Sequence, residues 1–246
     1  MKIIPAIDIR DGQCVRLFQG DFEKSTVYSA DPAAVAQNFS RLAVADLHIV
    51  DLDGARSGLQ SNHSAVASIV AQTGLAVQVG GGIRSRSDIV AWLDAGVSRC
   101  VIGSMAIGEP DCVKDWIDEF GAEAIVLALD ARLDIDGVPR LTTDGWTADS
   151  KISLWQCLEN YGSSDRYHVL CTDVGRDGAM TGPNFSLYEE TLRRFPDIQL
   201  QASGGVRNLG DLTDLRALGV PAAIVGRALL DGAINEREVE EFQQNA

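Results

Sequence analysis

Short apolar runs rich in β-branched residues alternate with amphipathic stretches along the whole chain. Eight of these runs predict β-strands, at residues 3–9, 47–52, 76–79, 100–103, 124–130, 167–173, 199–202 and 222–226. Most of them are continuously apolar, which is typical of parallel strands that are covered on both faces. The amphipathic stretches predict helices from Asp31-Pro32 onward and at 64–72, 86–95, 110–120, 152–161, 186–194, 209–218 and 236–244. The pattern predicts an α/β protein, a (βα)8 TIM barrel, with an open doubly wound sheet as the rival fold.

The two halves of the chain repeat each other, which favours the barrel. Gly81-Gly82-Ile83-Arg84 returns 123 residues later as Gly204-Gly205-Val206-Arg207. Asp8 matches Asp130 at an offset of 122 residues, and His48 with Asp53 matches His168 with Asp173 at an offset of 120. Two half-barrels, about residues 1–122 and 123–246, would close on each other within a single domain, 1–246, and leave no edge strand. A duplication that keeps glycines and strand-end aspartates predicts a site with pseudo-twofold symmetry.

Composition narrows the classes of partner. The net charge of −14 argues against binding of nucleic acid, which favours a basic surface. No apolar run reaches the roughly 18 residues that a membrane span needs, and the N-terminus lacks the features of a signal peptide. The five cysteines are odd in number and form no CxxC. We therefore expect a cytoplasmic protein with reduced thiols and no membrane partner. Because the protein as a whole is acidic, an anionic ligand would have to be bound by local backbone donors and a few arginines.

Glycine-rich segments follow four of the predicted strands, at the end of a barrel where active sites lie. They comprise Gly81 and Gly82 after the third strand, Gly103 and Ser104 after the fourth, Gly204 and Gly205 after the seventh, and Gly226 and Arg227 after the eighth. Glycine lets backbone N–H groups approach an anion closely, and a helix N-terminus adds a favourable dipole. One pair alone would indicate only a tight turn, but two matched sets predict two phosphate sites.

Three aspartates are candidates for acid–base catalysis. Asp8 ends the first predicted strand and Asp130 the fifth, so the two lie opposite each other and face the mouth of the barrel. A general base and a general acid are what a proton-shifting reaction requires; the plainer reading is that each aspartate caps the next loop. Asp177 follows the sixth predicted strand and is a further candidate acid. Thr172, near the end of that strand, and Gly178, next to Asp177, are candidates for substrate binding. No spacing of His, Cys and Asp predicts a metal site.

These segments resemble the ProFAR isomerases of histidine biosynthesis over nearly the whole chain. The matching stretches are IPAIDIRDG at 4–12, VRLFQGD at 15–21, HIVDLDGA at 48–55, VGGGIR at 79–84, GW at 145–146, TDVGRDG at 172–178 and ASGGV at 202–206. The resemblance implies a small bisphosphorylated substrate, no cofactor, and an Amadori rearrangement of an aminoaldose to an aminoketose. It implies Asp8 as the base and Asp130 as the proton donor, with Asp177 as the alternative acid.

Two predicted loops bear on substrate binding. Arg16 and Gly20 lie in the first βα loop, which is suited to closing over the substrate. Trp146 lies in the longest irregular stretch, 131–150, and is a candidate for stacking on the imidazole carboxamide that the resemblance implies. The plainer readings are a surface charge for Arg16 and a loop anchor for Trp146.

Three other functions stay open at this stage. The sister cyclase of the same pathway shares the duplicated barrel but requires ammonia from a glutaminase, and its first loop carries a Lys-rich pattern that residues 15–21 lack. A bifunctional isomerase that also accepts phosphoribosyl anthranilate uses the same Amadori chemistry. A non-catalytic phosphate-ligand binding protein would keep the fold, since fold alone does not fix function. We expect a monomer, since the acidic surface indicates no clear interface.

Overall fold

The structure is a computed structural model that describes residues 1–18, 21–143, 148–162 and 167–244. Its strands are β1 Lys2–Arg10, β2 Gln13–Phe18, β3 Asp21–Ser29, β4 Asp46–Asp51, β5 Ala76–Gly80, β6 Arg99–Ile102, β7 Ile125–Leu133, β8 Pro139–Thr143, β9 Ala148–Ser153, β10 His168–Asp173, β11 Gln199–Ser203 and β12 Ala222–Val225. Its helices are α1 Pro32–Ser40, α2 Leu52–Ser57, α3 His63–Thr73, α4 Arg86–Asp94, α5 Ser104–Gly108, α6 Pro110–Phe120, α7 Leu154–Tyr161, α8 Phe185–Arg194, α9 Leu209–Ala217, α10 Arg227–Leu230 and α11 Glu236–Gln244.

Eight parallel strands close into a barrel, which confirms the predicted (βα)8 TIM fold. Around the barrel the order is β1, β4, β5, β6, β7, β10, β11 and β12, and β12 pairs with β1 to complete the ring. Helices separate successive barrel strands along the chain and cover them from outside. In such a barrel the C-terminal ends of the strands meet at one mouth.

Apolar side chains fill two regions of the fold. The larger cluster packs between the barrel strands and the helices and includes the fully buried Trp92 and Tyr188. A smaller cluster, which includes Val126 and Leu170, fills part of the barrel interior. This division explains the continuously apolar runs, because each barrel strand buries one face outward and the other inward.

Strand registers show which positions of the two halves are equivalent. Ile9 of β1 pairs with Asp51 of β4, and Ala131 of β7 pairs with Asp173 of β10. Ile9 and Ala131 each directly follow one of the matched strand-end aspartates, so Asp51 is the structural equivalent of Asp173. The predicted match of Asp53 with Asp173, and the histidine match that accompanied it, is therefore wrong by two residues.

Antiparallel hairpins extend the barrel in its first and fifth loops. In the first, β2 pairs with β1 and with β3; in the fifth, β8 pairs with β7 and with β9. The interpretation of 131–150 as irregular is therefore wrong for the described part of that stretch. Hairpin strands that face solvent lack a continuous apolar run, and the middle of β3 is indeed exposed. A sequence pattern that depends on burial therefore does not predict such strands.

Side-chain caps fix where several helices begin. The Asp31 carboxylate accepts from the backbone N–H groups of Ala33 and Ala34, as the predicted N-cap requires. The helix predicted at 152–161 begins instead at Leu154, because Ser153 and Gln156 form a capping box at that point. No helix in the described part of the chain has the length and apolar character that crossing a lipid bilayer requires.

Candidate active site

A cavity of about 270 Å³ opens at the C-terminal ends of the barrel strands. Asp8 of β1, Asp130 of β7 and Asp177, in the loop after β10, all line it. Thr172 of β10 also lines it and pairs in register with Asp130. The structure thus brings three carboxylates that are far apart in sequence to one space.

Arg16 of β2 connects two of these carboxylates. Its Nη1 donates to Oδ2 of Asp8 at 3.1 Å, and its Nη2 lies 2.7 Å from each carboxylate oxygen of Asp177. The Arg16 side chain is only 15% exposed, which is inconsistent with its reading as a surface charge. Because all three groups are largely buried, solvent screens this charge cluster weakly.

Burial and the charges of this cluster shift the pKa values of Asp8 and His48. Burial raises the pKa of Asp8; the Arg16 guanidinium opposes that shift, and the nearby charge of Asp177 adds to it. Burial, together with the Arg16 charge, lowers the pKa of His48 in the cavity lining to about 4, so this imidazole is neutral at pH 7. A carboxylate whose pKa is raised toward the working pH is a more effective general base.

The two predicted glycine pairs have matching backbone conformations. Their φ angles are +110° and +75° at Gly81 and Gly82, and +99° and +87° at Gly204 and Gly205. A Cβ at Gly81 would collide with the carbonyl oxygen of Asp51, and one at Gly204 would lie 2.9 Å from that of Asp173. Close backbone packing therefore requires glycine at both positions, independently of any ligand.

Two short helices begin directly after the fourth and eighth barrel strands. The N-cap of α5 is Gly103, with φ −96° and ψ −99°, and that of α10 is Gly226, with φ −98° and ψ −90°. Glycine offers no capping side chain at the start of either helix, whereas Ser85 and Asn208 cap α4 and α9. The N-terminus of a short extra helix is a common phosphate-binding element of this fold.

The two predicted phosphate sites differ in their access to the cavity. All four residues of the first site line it, namely Gly81, Gly82, Gly103 and Ser104. Of the second site, Gly226 lines the cavity, and the Arg16 guanidinium lies against it: a Cβ at Gly226 would be 3.3 Å from Nη1. Arg16 therefore packs against Gly226 of the predicted second site.

Three other residues predicted for the second site, Gly204, Gly205 and Arg227, are not among the described residues that line the cavity. Neither is Gly178, the substrate-binding candidate beside Asp177. Arg227 donates from Nη1 to the carbonyl oxygen of Gly178 at 3.0 Å and from Nε to Asp231 at 2.9 Å. The Tyr28 hydroxyl of β3 donates to the same Asp231 at 2.6 Å. The hairpin of the first loop is thus tied to the β12 side of the mouth.

Two further predictions fall on residues that the structure does not describe. Gly20 and Trp146, predicted to contact the substrate, lie outside the described ranges. Thr142 and Thr143 of β8, in the described part of the fifth loop, do line the cavity. The sequence did not single them out, since threonines in a presumed loop carry no signal of their own.

Sequence reasoning also missed a pair of buried side-chain contacts. Asn62 donates to Asp51 at 2.6 Å, and Asn184 donates to Asp173 at 2.6 Å. In each contact the asparagine follows its aspartate by 11 residues. That shared spacing was the available signal, and the misplaced match of Asp53 with Asp173 concealed it.

The described residues of the mouth offer carboxylates, a guanidinium, hydroxyls and backbone donors. Within the described ranges, His, Cys, Asp and Glu side chains form no group of three or more that could hold a metal ion. Residues 2–235 match the family model described as Histidine biosynthesis protein. The match spans all the described strands and every candidate site residue.

Proposed function

We propose that this chain, which belongs to the histidine biosynthesis protein family, is the aldose–ketose isomerase that converts ProFAR to its aminoketose without a cofactor. The observation that carries the proposal is the position of Asp8 and Asp130 on one cavity between two repeat-related helix starts, at Gly103 and Gly226. An acid–base pair between two phosphate sites suits a substrate that has two phosphorylated ends and undergoes a proton shift.

In the proposed reaction the acid first protonates the ring oxygen of the aminoaldose ribose, and the ring opens to a protonated Schiff base. The Asp8 carboxylate then removes the C2 proton, and the resulting enolamine collapses to the ketone. The raised pKa of Asp8 supports the role of base, because it brings the carboxyl closer to the pH at which it must accept a proton. Backbone donors at Gly103 and Gly226 would hold the two phosphates.

Asp130 is the better candidate for the acid. Both carboxylate oxygens of Asp177 accept from Arg16 Nη2, so a proton on Asp177 would have to displace part of that contact. Asp177 instead holds Arg16 against Asp8. Replacement of Asp130 by Asn should therefore lower kcat more than replacement of Asp177 by Asn, with product formation followed by ultraviolet absorbance.

Substrate consumption by the purified protein distinguishes the isomerase from the cyclase, the bifunctional isomerase and the binding protein. We expect conversion of ProFAR without added ammonia, whereas the cyclase would consume the ketose product only when ammonia is present. Turnover of phosphoribosyl anthranilate, assayed separately, would establish the bifunctional activity. A folded protein that binds ProFAR but converts none of these substrates would instead be a binding protein, and the proposal would be wrong.

A further inference from the structure

Two buried Asp–Asn contacts occupy equivalent places in the two halves of the barrel. Asp51 and Asp173 end β4 and β10, and their carboxylates accept from Asn62 and Asn184. All four residues are buried, and Asp51 has no exposed surface. A buried carboxylate needs such partners, because an unpaired charge away from water is strongly unfavourable.

The contact in the first half also holds the turn that leads to Arg16. Asn62 Oδ1 accepts from the backbone N–H of Gly12 at 3.0 Å, while its Nδ2 reaches Asp53 at 2.8 Å. The same Asp53 carboxylate accepts from the backbone N–H of Asp11 at 2.7 Å. Asp11 and Gly12 both have positive φ, at 49° and 74°, and form the tight turn between β1 and β2. Asn62 therefore ties this hairpin turn to the end of β4.

The contact in the second half holds the loop that carries Asp177. Asp173 Oδ1 accepts from the backbone N–H of Gly175 at 2.9 Å, while Oδ2 accepts from Asn184 at 2.6 Å. The backbone N–H of Asp177 donates to the carbonyl oxygen of Asp173 at 3.0 Å. The position of Asp177 at the mouth thus depends on a turn that begins at Asp173.

From these contacts we infer that Asn62 and Asn184 are positioning residues. They lie in opposite halves of the barrel, and each fixes the position of one partner in the Arg16–Asp177 contact. Asn62 sets the hairpin that presents Arg16, and Asn184 sets the loop that presents Asp177. Together they hold Arg16 within hydrogen-bonding distance of Asp8 and against Gly226 of the predicted second phosphate site. The consequence for catalysis rests on the proposed isomerase function; the consequence for the contact itself does not.

The first test measures the mobility of the Arg16 side chain in its contact with Asp177, without substrate. NMR of labelled arginine side chains, with Arg16 assigned by its loss in Arg16→Lys, should show Arg16 held rigidly in the wild type. Asn62→Ala and Asn184→Ala should each change the Arg16 signals toward those of a mobile side chain. Thr191→Val is the matched control, since it removes a buried hydrogen bond of 2.7 Å to Leu187 within α8. It should lower stability and leave the Arg16 signals unchanged.

The second test reads the effect on turnover of ProFAR. Misplacement of a group near the reacting atoms by about 1 Å costs up to ~100-fold in rate, so we expect Asn62→Ala to lower kcat/KM at least ~10-fold. In an Arg16→Lys background the same substitution should cost less than ~2-fold, because the positioned group is already altered. Equal losses in both backgrounds would contradict action through Arg16.

Asp53→Ala provides a milder variant if Asn62→Ala does not fold. It removes the acceptor for the backbone N–H of Asp11 at a partly exposed site. Like Asn62→Ala, it should change the Arg16 signals toward those of a mobile side chain. Unchanged Arg16 signals in every folded variant of Asn62, Asn184 and Asp53 would overturn the inference. A wild-type protein that fails to convert ProFAR would refute the proposed function, while the NMR test would still decide the inference.

Discussion

The side-chain amides of Gln78 and Gln201 hydrogen-bond reciprocally inside the barrel. Nε2 of Gln78 lies 2.7 Å from Oε1 of Gln201, and Nε2 of Gln201 lies 3.1 Å from Oε1 of Gln78. The two residues are separated by 123 positions, the same offset as the repeated glycine segments. Two residues at equivalent positions of the two halves therefore contact each other inside the barrel.

We predict that Gln78 and Gln201 are energetically coupled. Gln201→Leu should lower the free energy of unfolding by about 1–3 kcal/mol, because it leaves part of the buried Gln78 amide without a partner. The double replacement Gln78→Leu with Gln201→Leu should cost clearly less than the sum of the single replacements. Urea unfolding of the four proteins measures this, and strictly additive losses would show that the two amides do not depend on each other.

Ionisation of Asp8 should oppose folding. Burial raises the pKa of Asp8 in the folded protein above its ordinary value of 3.8. The folded state therefore holds the proton more tightly, and the stability this gives is fully present below pH 3.8 and is lost as pH rises through the raised pKa. Asp8→Asn should then melt at a higher temperature than the wild type at pH 7. The difference should shrink as pH falls, and thermal melts between pH 4 and pH 8 would show the reverse trend if the sign were wrong.

The pH dependence of turnover should respond in opposite directions to the two neighbours of Asp8. Arg16 lowers the pKa of Asp8 and Asp177 raises it. The acidic limb of the kcat/KM profile should therefore move to higher pH in Arg16→Ala and to lower pH in Asp177→Asn. At pH 7 the kcat/KM of Arg16→Ala should therefore fall, because more of Asp8 is protonated when the Arg16 charge is absent, and it should recover in part at higher pH. A shift in the same direction for both variants would exclude Asp8 as the titrating base.

Gly103 offers a clean probe of the first phosphate site. A Cβ at Gly103 would meet no heavy atom of the described residues within 4 Å, so Gly103→Ala should fold with nearly unchanged stability. It should raise KM for ProFAR about 10-fold, since the methyl group weakens a charge-assisted contact to phosphate. Gly108→Ala, at the other end of α5, is the matched control, because a Cβ there would likewise meet no heavy atom of the described part of the chain within 4 Å. Equal KM values for the two variants would remove α5 from the binding site.

Gly81→Ala should behave differently from Gly103→Ala. Gly81 has φ +110° and its Cβ would collide with the backbone of Asp51, so we expect a loss of about 1–3 kcal/mol or more in the free energy of unfolding. Chemical denaturation measures the loss. A variant as stable as the wild type would show that the close approach of Gly81 to the end of β4 is not needed.

The barrel strands were predictable because burial on both faces leaves a continuous apolar run in the sequence. The β2–β3 hairpin was not, since the middle of β3 faces solvent and carries no such run. The match of Asp53 with Asp173 failed because identical residue types two positions away from the true equivalents suggested a false alignment. Strand pairing, which a single sequence does not show, identifies Asp51 instead.

The candidate site was predictable in part. The strand-end rule brought Asp8 and Asp130 to one mouth, where the structure places them. The contact between Arg16 and Asp177 was beyond sequence reasoning, because the residues are 161 positions apart and the hairpin that carries Arg16 was itself missed. Charge pairs formed by loops depend on tertiary packing and leave no local pattern.

The most direct test of the central claim compares the wild type with Asp8→Asn for ProFAR turnover in the absence of ammonia. Asp197→Asn, an exposed carboxylate in the turn before β11, is the matched control. The account predicts conversion by the wild type and the control, and ProFAR binding without measurable conversion by Asp8→Asn. Wild-type protein that is folded yet inactive, or Asp8→Asn that turns over at the wild-type rate, would contradict it.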